Sequence, residues 1–412
     1  HTIFKCDWSS DVCSSDLCIP MFEPCDSQET YDMFLEAVRV SEEFKLPVMI
    51  RTTTRVCHSK GIVRFGAPVP PPVALHFDRD IAARLMLPGN ARPAHRRLRE
   101  KLDEIDVYNE RSEWNAIIHG DTSLGIIASG VAFMHAREAA PNASFLKIGM
   151  SYPLPMNKIR AFVELVDRCV VIEEGDPYLT TEIRAAGLDV ESKAPMYRFG
   201  ELNVNRVRGI LAGDTTPETP PPPGRPPRLC PECPHRTVFG VLNKIGCIVA
   251  GDIGCYTLGG RPPFNAMDTC VCMGSSIGIG LGLRHALPDD EARRVVSVIG
   301  DSTFMHSGLT GMAEMVYNPP KTGHVLIVLD NGTTAMTGMQ EHPGTGRTLD
   351  HEPTNKIAIE DVARSMGIKN IHVIDPREDR DDFRELVETA LASGNLELIV
   401  ARRLCALAAK KI

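Results

Sequence analysis

The sequence predicts an α/β protein that contains several doubly wound parallel sheets. Short apolar segments typical of buried strands alternate with amphipathic segments typical of helices through most of the chain. The 412 residues and the hydrophobic content of 43% are enough for roughly two to three domains with complete cores. The net charge of −8 is spread along the chain, so we expect no basic face for nucleic acid.

Composition also indicates where the protein works. No apolar run in the sequence is long enough to span a bilayer, so we expect no membrane insertion. Thirteen cysteines in so long a chain do not make a disulfide scaffold, and several of them cluster between Cys230 and Cys272. Such clustering is typical of metal or redox chemistry in a reducing compartment. We therefore expect a soluble, cytoplasmic protein.

The first 17 residues do not read as natural protein. The run DWSSDVCSSDL at Asp7–Leu17 resembles the translation of a sequencing-library adapter. A signal peptide is the alternative, but the run has neither a basic start nor an apolar core. We exclude residues 1–17 from functional interpretation and expect that the natural N-terminus is missing.

The remaining chain divides into four further segments and a linker. Residues 18–66 contain a helix from Asp26 to Phe44 and a strand at Leu46–Ile50, as in the last α/β unit of a larger domain. Residues 67–115 form a connector, rich in proline at first and then helical. Residues 116–213 form an α/β domain, the proline-rich stretch 214–229 is a semi-rigid linker, and residues 230–412 form the last domain.

The domain 116–213 shows the strand–helix alternation clearly. Its predicted elements, in order, are strand Leu124–Ala128, helix Gly130–Ala139, strand Ser144–Ile148, helix Met156–Val166, strand Cys169–Ile172 and helix Tyr178–Ala186. This order favours a parallel, doubly wound sheet. Nothing in this domain requires a catalytic role.

The stretch from Val295 to Gly338 carries the strongest functional signal. An apolar strand ends in Gly300-Asp301-Ser302, a helix follows, and a second apolar strand leads into Asp330-Asn331-Gly332-Thr333. In such βαβ units, ligands gather beyond the carboxyl ends of the strands. A carboxylate, an amide oxygen and a backbone carbonyl, from Asp301, Asn331 and Thr333, would suit Mg²⁺ that carries a phosphate group. The alternative is an ordinary unit in which Asp301 and Asn331 only cap helices and turns.

This pattern resembles the thiamine diphosphate motif, which is Gly-Asp-Gly (or Ser), an interval, and then Asn-Asn. Here Gly300-Asp301-Ser302 and Asp330-Asn331 are separated by the 27 residues 303–329. Ser302 and Asp330 depart from the commoner residues, but neither position is a metal ligand in that family. The resemblance therefore implies a thiamine diphosphate-binding fold for the last domain.

A cysteine cluster precedes this motif. Cys230 and Cys233 form a C-x-x-C pair, and 21 residues separate Cys233 from Cys255, which lies in a Gly-rich turn. Cys270 and Cys272 follow. The spacing suits zinc, with His235 as a further ligand, or an iron–sulfur cluster. Buried thiols without a metal remain the alternative.

Four segments together point to one family: CPECPHRTVFGVL (230–242), GDIGCYTLG (251–259), CMGSSIGIGLGL (272–283) and VVSVIGDSTFMHSGLTGMAEMVYN (295–318). They resemble the thiamine diphosphate domain of the 2-oxoacid:ferredoxin oxidoreductases, and more narrowly the large (alpha) subunits of the indolepyruvate type. The similarity continues through VLDNGTTAMTGMQEHPGTG (328–346) and includes IPMFEPCDSQE and LPVMIRTTTRVCHS near the start. It covers essentially all of the chain after residue 17.

The resemblance implies the oxidative decarboxylation of an aryl pyruvate to an acyl-coenzyme A. Thiamine diphosphate and Mg²⁺ would serve the carbon chemistry, iron–sulfur clusters would remove electrons one at a time, and ferredoxin would carry them away. The implied partners are the beta subunit of the same oxidoreductase, in a hetero-oligomer, and ferredoxin. The implied co-substrate is coenzyme A.

The resemblance also assigns site residues. It implies Asp301, Asn331 and the Thr333 carbonyl as Mg²⁺ ligands. It implies cofactor contacts from the turns that contain Gly254, Cys255, Met273, Gly274, Ser275, Gly300, Ser302, Thr303 and Gly332. In relatives that bind a [4Fe–4S] cluster near thiamine, the order of ligands is matched here by Cys230, Cys233, Cys255 and Cys405.

Two departures from the family pattern bear on activity. In this family the glutamate that activates the cofactor lies early in the first domain, which we expect to fall outside this sequence, so no catalytic residue is assigned. The resemblance also implies a ferredoxin-like module after the third domain, and we expect that it falls outside this sequence as well. We therefore expect an interior fragment that does not turn over alone.

Two other functions remain open. A non-oxidative decarboxylase of the sulfopyruvate or phosphonopyruvate type would share the Asp301–Asn331 device, but it would need no cysteine-rich turn. A non-catalytic scaffold subunit would need neither feature.

Overall fold

The computed structural model describes residues 18–67, 77, 79–218 and 226–409. The adapter-like residues 1–17, the whole proline run at 68–72 and residues 219–225 of the predicted linker lie outside the described residues. Within the described part of the chain, no helix has both the length and the apolar character that crossing a membrane requires. The chain divides into two compact units, residues 1–221 and 222–412.

The first unit contains two small sheets with helices packed on them. Its strands are β1 Met21–Phe22, β2 Met49–Ile50, β3 Ala116–Ile118, β4 Asp121–Ser129, β5 Ala143–Ile148, β6 Met150–Tyr152 and β7 Cys169–Ile172. Its helices are α1 Ser27–Phe44, α2 Thr54–His58, α3 Ile81–Arg84, α4 Pro88–Arg111, α5 Gly130–Ala139, α6 Met156–Leu165, α7 Tyr178–Ala185 and α8 Val204–Leu211. One sheet has the order β2-β1-β6 and the other the order β3-β5-β4-β7.

Helix α1 shows why the predicted elements form. Asp26 precedes it, and the Asp26 carboxylate accepts the backbone N–H of Glu29 at 2.8 Å, which caps the helix start. Its buried side chains, Met33, Ala37 and Val40, recur at helical spacing and face one core. The predicted start and end of this helix are thus confirmed.

Some elements of the first unit differ from the sequence expectation. The strand expected at Leu46–Ile50 is reduced to β2 because only its last two residues pair with β1. Strand β3 runs antiparallel to β5, so this sheet is mixed, with its parallel pairs at β4–β5 and β4–β7. Helix α8 was not predicted, although Asn203 caps it and Val207 and Ile210 are buried beneath it. Gly209 lies inside this helix, and a glycine weakens the helix signal of a sequence.

The second unit is built on a six-stranded sheet with the order β12-β13-β11-β10-β8-β9. Its strands are β8 Ile248–Gly251, β9 Thr269–Cys270, β10 Val295–Gly300, β11 His324–Asp330, β12 Asn370–Ile374 and β13 Leu396–Arg402, and every pair is parallel. Its helices are α9 His235–Ile245, α10 Ser275–Ala286, α11 Asp289–Ala292, α12 Asp301–Thr303, α13 Leu309–Tyr317, α14 Ile359–Met366 and α15 Arg380–Ser393. A π-helical turn, Phe304–Gly308, joins α12 to α13.

Both faces of this sheet are covered by helices. Alternate residues of the central strands point to opposite sides, so that Val298 and Ile327 lie in one apolar cluster, whereas Leu326 and Val328 lie in the other. Burial on both faces explains why these strands read as continuous apolar runs. The predicted fold class, a doubly wound parallel α/β sheet, is confirmed.

The pairing of β10 with β11 positions the functional residues. The two strands are adjacent and parallel, with Gly300 opposite Leu329. Asp301 follows the end of β10, and Asn331 follows the end of β11. The side chains expected to meet are therefore carried by neighbouring strand ends.

Two glycines of helix α10 allow a test of how closely this helix packs on the sheet. A Cβ atom at Gly280 would overlap the Ser297 hydroxyl and lie 2.9 Å from His324 Cε1, whereas a Cβ at Gly282 would meet nothing within 4 Å. We expect Gly280→Ala to destabilise the second unit by about 1–3 kcal/mol through overpacking. Gly282→Ala, the matched control, should raise stability by up to about 1 kcal/mol through helix propensity. Urea unfolding followed by circular dichroism measures both, and equal effects would contradict this packing.

Candidate functional site

A cavity of about 820 Å³ lies at the carboxyl end of the six-stranded sheet, beside Asp301. Of the residues that the sequence assigned to a cofactor, those that line this cavity are Gly254, Cys255, Met273, Gly300, Asp301, Ser302, Thr303, Asn331 and Thr333. Gly274 and Gly332 are next to lining residues along the chain, and Ser275 lies two positions after Met273. The strand ends and the turns after β8 and before α10 thus converge on one cavity.

The Asp301 carboxylate connects the ends of the two strands. Its Oδ2 atom accepts the backbone N–H groups of Asn331, at 3.1 Å, and of Gly332, at 2.8 Å. Its Oδ1 atom accepts the backbone N–H of Ser302 at 2.8 Å. The side chain is almost fully buried, and its oxygens are held at the wall of the cavity.

Asn331 is held from two sides. Its Oδ1 atom accepts the backbone N–H of Thr333 at 3.1 Å, and its Nδ2 atom lies 3.3 Å from Nε2 of His235. Burial lowers the pKa of His235 to about 4, because the charged imidazolium would lose its hydration. The ring is therefore neutral at pH 7 and can accept a hydrogen bond.

These donors fit the ion that the sequence predicts. A carboxylate, an amide oxygen and a main-chain carbonyl are hard oxygen ligands, which suit Mg²⁺ together with phosphate and water. In the described part of the chain, no three side chains of the His, Cys, Asp and Glu types gather around one possible metal position. A Mg²⁺ site of this composition needs no such group, since Asp301 is its only carboxylate.

Glycines at two of these turns leave room for a ligand, because a side chain at either position would collide with its neighbours. A Cβ atom at Gly300 would lie 2.7 Å from Cε1 of Tyr256, and one at Gly274 would lie 2.5 Å from the Ser307 hydroxyl. Gly274 also adopts a φ of +89°, which L-residues with side chains rarely adopt. Larger residues at these positions would push side chains into the cavity or distort the turn.

Asp252 is a site residue that the sequence reasoning missed. It is fully buried, and its Oδ2 atom accepts the backbone N–H groups of Gly274, at 2.8 Å, and of Ser276, at 3.4 Å. It thereby fixes the turn that leads into α10 and carries Met273. Its position directly after a buried strand, β8, was the available signal.

His342 is a second missed residue. Its Nδ1 atom accepts the backbone N–H of Gly344 at 3.2 Å, so the ring proton lies on Nε2. This buried Nε2 lies 3.3 Å from Oδ2 of Asp301 and has no partner with hydrogen-bond geometry. The chain supplies this histidine from the loop after β11, which gives no strand or helix signal in the sequence.

Asp330, the residue that departs from the thiamine motif, belongs to an ion-pair network. Nε of Arg402 lies 2.6 Å from Oδ2 of Asp330, and the same guanidinium contacts Glu360 at 2.7 and 3.1 Å. Burial raises the pKa of the Asp330 carboxyl, whereas Arg402 opposes that rise. The network anchors the end of β11 to β13 and α14.

The four cysteines that the sequence assigned to a cluster line a second pocket of about 490 Å³. Cys230, Cys233, Cys255 and Cys405 surround it, together with His235 and Asn331. Burial raises the pKa of Cys233 to about 11, and burial next to Cys405 and Cys230 raises that of Cys255. Cys270 and Cys272 are exposed. Asn331 and Cys255 line both the second pocket and the cavity beside Asp301.

Comparison with known proteins first defines the class. Residues 252–401 match the family model described as "Thiamine pyrophosphate enzyme, C-terminal TPP binding domain", where thiamine pyrophosphate is another name for thiamine diphosphate. The matched range begins at Asp252 and ends in β13, so it contains the strand ends and turns around the cavity. The second unit therefore carries a domain of this class.

The curated relatives then define the family. Indolepyruvate oxidoreductase subunit IorA of Methanothermobacter thermautotrophicus is 35% identical over 420 residues, which cover 95% of this chain and 67% of the relative. The subunit of the same name from Archaeoglobus fulgidus is 34% identical over 94% of this chain and 66% of its own length. The chain belongs to the family of these IorA subunits. It spans about two thirds of their length.

A 2-oxoglutarate:ferredoxin oxidoreductase from Magnetococcus marinus is similar over 43% of this chain and 64% of its own, with 19% identity and a TM-score of 0.35. At these values the likeness adds nothing to the family assignment.

Two buried histidines predict how the stability of the second unit depends on pH. Burial lowers the pKa of His235 to about 4 and that of His324 to about 3, whereas an unfolded histidine titrates near 6.5. Below pH 6.5 the unfolded chain binds protons that the folded chain does not. As the pH falls from 6.5 towards the folded pKa, each histidine should therefore lower the free energy of unfolding by up to about 1.4 kcal/mol per pH unit.

Urea unfolding between pH 7.5 and 5 measures this slope. We expect His324→Gln to remove about half of the pH dependence that these two histidines cause, because it removes one of the two titrating groups. His306, which is exposed, offers the matched control, and His306→Gln should leave the slope unchanged. An unchanged slope in His324→Gln would contradict the prediction.

Proposed function

We propose that this chain is the thiamine diphosphate- and Mg²⁺-binding part of a 2-oxoacid:ferredoxin oxidoreductase that acts on aryl pyruvates such as indolepyruvate. The observation that carries the proposal is the convergence of Asp301 and Asn331 on one cavity, within a domain of the thiamine pyrophosphate class. The names of the curated relatives support the substrate class.

The proposed Mg²⁺ ligands are the Asp301 carboxylate, Oδ1 of Asn331 and the carbonyl of Thr333. The remaining coordination positions of a Mg²⁺ ion are usually filled by phosphate and water. The residues proposed to contact thiamine diphosphate are Gly254, Cys255, Met273, Gly274, Ser275, Gly300, Ser302, Thr303, Gly332 and Thr333. The start of α10 follows Met273 at the wall of the cavity, and the positive end of its helix dipole favours the anionic diphosphate end.

Bound thiamine diphosphate supplies the carbon nucleophile for decarboxylation, whereas the protein supplies binding, orientation and electrostatics. Here the oxygen-rich strand ends would hold the charged end of the cofactor. The side chains of Ile253, Met273 and Met336 line the same cavity and would shield the reactive end from water. We assign no catalytic acid or base among the described residues.

The cysteine pocket is proposed to serve electron transfer. Cys230, Cys233, Cys255 and Cys405 line one pocket and would supply the four thiols of a [4Fe–4S] cluster. No three of them meet at a single metal position among the described residues, but each thiol of such a cluster binds a different iron. Since Cys255 and Asn331 line both pockets, a cluster there would share a wall with the cofactor cavity. A cluster held by these thiols would supply a one-electron acceptor beside the cofactor cavity; ferredoxin is the proposed external acceptor, and coenzyme A the proposed acyl acceptor.

A partner subunit is part of the proposal. The curated relatives are named as subunits, and we propose that this chain joins a beta subunit of the same oxidoreductase in a hetero-oligomer. The cysteine pocket favours this oxidative function over a non-oxidative decarboxylase, which would need no thiols beside its cofactor.

Calorimetric titration with thiamine diphosphate tests the cofactor site. We expect binding that requires Mg²⁺ and weakens at least about tenfold in Asp301→Ala, because the only carboxylate ligand is lost. Asp289, which is exposed and paired with Lys321, provides the matched control, so Asp289→Ala should bind as the unaltered chain does. Binding that is independent of Mg²⁺, or unaffected by Asp301→Ala, would contradict the site.

Anaerobic reconstitution with iron and sulfide tests the cysteine pocket. We expect the visible absorbance of a four-iron cluster, and we expect Cys233→Ser to lose most of it because one thiolate ligand is removed. Cys247 lies in the same unit but outside the pocket, so Cys247→Ser should reconstitute normally. If the unaltered chain takes up no cluster, the electron-transfer proposal fails.

A further inference from the structure

Asn331 forms part of the wall between the cofactor cavity and the cysteine pocket. Its carboxamide has an accepting end, Oδ1, and a donating end, Nδ2, of nearly the same size. Shape alone therefore does not decide which end faces the cavity. Only the oxygen can coordinate Mg²⁺, since this hard cation takes oxygen ligands.

Two hydrogen-bond partners decide the orientation of this amide. The backbone N–H of Thr333 points at Oδ1 from 3.1 Å, and Nε2 of His235 lies 3.3 Å from Nδ2. Reversing the amide would set an N–H of the side chain against the N–H of Thr333. It would also set the oxygen against Nε2 of His235, which repels it in the tautomer that carries the ring proton on Nδ1; the clash with Thr333 N–H opposes the reversal in either tautomer.

The imidazole of His235 is itself held in place. The residue begins helix α9 and is 3% exposed. Its ring packs edge-to-face against Tyr256, with the ring centroids 6.1 Å apart and the planes at 83°. Tyr256 in turn lines the cofactor cavity. A ring fixed in this way presents Nε2 to Asn331 in a constant direction.

We propose that His235 is a positioning residue that keeps Oδ1 of Asn331 available to Mg²⁺ by accepting a hydrogen bond from Nδ2. The inference rests on the proposed function, because it concerns the same metal site. His235 does not touch the cavity beside Asp301, and it acts only through Asn331. Since Cys233 lies two residues earlier, the same chain segment supplies both the cysteine pocket and this support for the metal ligand.

The proposed role of His235 also explains why an acceptor is placed against Asn331 and not against Asp301. Asp301 has an oxygen at each end of its side chain, so it presents oxygen in either orientation. Asn331 does not, and it is Asn331 that has an acceptor placed against its amino group. Outer partners of this kind typically change metal affinity by about 10- to 100-fold when they are removed.

Two variants of His235 test the proposal in the presence of a fixed excess of thiamine diphosphate. Mg²⁺ affinity is measured by calorimetry, and Mn²⁺ affinity by electron paramagnetic resonance, so that no readout depends on turnover. His235→Leu removes the acceptor and should weaken both ions by about 10- to 100-fold. His235→Gln keeps an acceptor of similar reach and should stay within about threefold of the unaltered chain, since the outer partner is preserved.

His324→Leu is the matched control for the loss of a buried histidine. His324 is fully buried in the same unit and contacts Ser297 at 2.8 Å, and it begins strand β11. Six residues along that strand place it roughly 20 Å from the metal ligands. His324→Leu should change stability but leave the affinity for both ions unchanged.

A double-mutant cycle separates orientation from simple packing. In an Asn331→Asp background the side chain presents oxygen at either end, so His235→Leu should then cost less than about threefold in ion affinity. A packing effect would persist at full size in that background. If His235→Leu does not fold, His235→Ser takes its place, because the shorter hydroxyl does not reach Asn331.

The outcomes for the two proposals are distinct. If the unaltered chain shows no Mg²⁺-dependent binding of thiamine diphosphate, the proposed function fails. If the unaltered chain binds and His235→Leu binds equally well, or if His235→Gln is as weak as His235→Leu, the role of His235 is overturned. A loss of the same size in the Asn331→Asp background would overturn it as well.

Discussion

The parallel pairing of β10 and β11 is the constraint on which the candidate site depends. It brings Asp301 beside the turn after β11, where its carboxylate accepts two backbone N–H groups. These bonds hold a charged oxygen pair at the wall of a cavity, in a position that burial alone would disfavour. The apolar clusters on both faces of the sheet keep the two strands in register, so the packing of the second unit directly determines the geometry of the site.

Four further polar residues fix the surroundings of Asp301 and Asn331. His235 supports Asn331, His342 lies behind Asp301, Asp252 fixes the turn before α10, and Arg402 anchors the end of β11 through Asp330. His235, His342 and Arg402 are each more than 25 positions from the residue that they contact, whereas Asp252 directly follows the end of β8. The shared wall between the cavity and the cysteine pocket joins the metal ligands and the thiols into one functional region.

Much of the fold and part of the site could be predicted from the sequence, for physical reasons that differ between elements. The buried strands β10 and β11 and helix α13 were predictable because long apolar runs and helical periodicity are local signals. The motif around Asp301 and Asn331 was readable because both follow such strands. The support from His235 was not, since it lies 96 residues from Asn331 and depends on how α9 packs. Strand β3 was missed because three residues carry too little periodicity, and helix α8 because Gly209 weakens its helix signal.

The most direct test of the account is a crystal structure of the chain with thiamine diphosphate and Mg²⁺. The account predicts an ion within about 2.0–2.1 Å of oxygens from Asp301, Asn331 and the Thr333 carbonyl, with the remaining positions taken by phosphate and water. It also predicts that Nδ2 of Asn331 stays bonded to His235. Diphosphate bound away from the ends of β10 and β11, or an ion without Asp301 as a ligand, would contradict it.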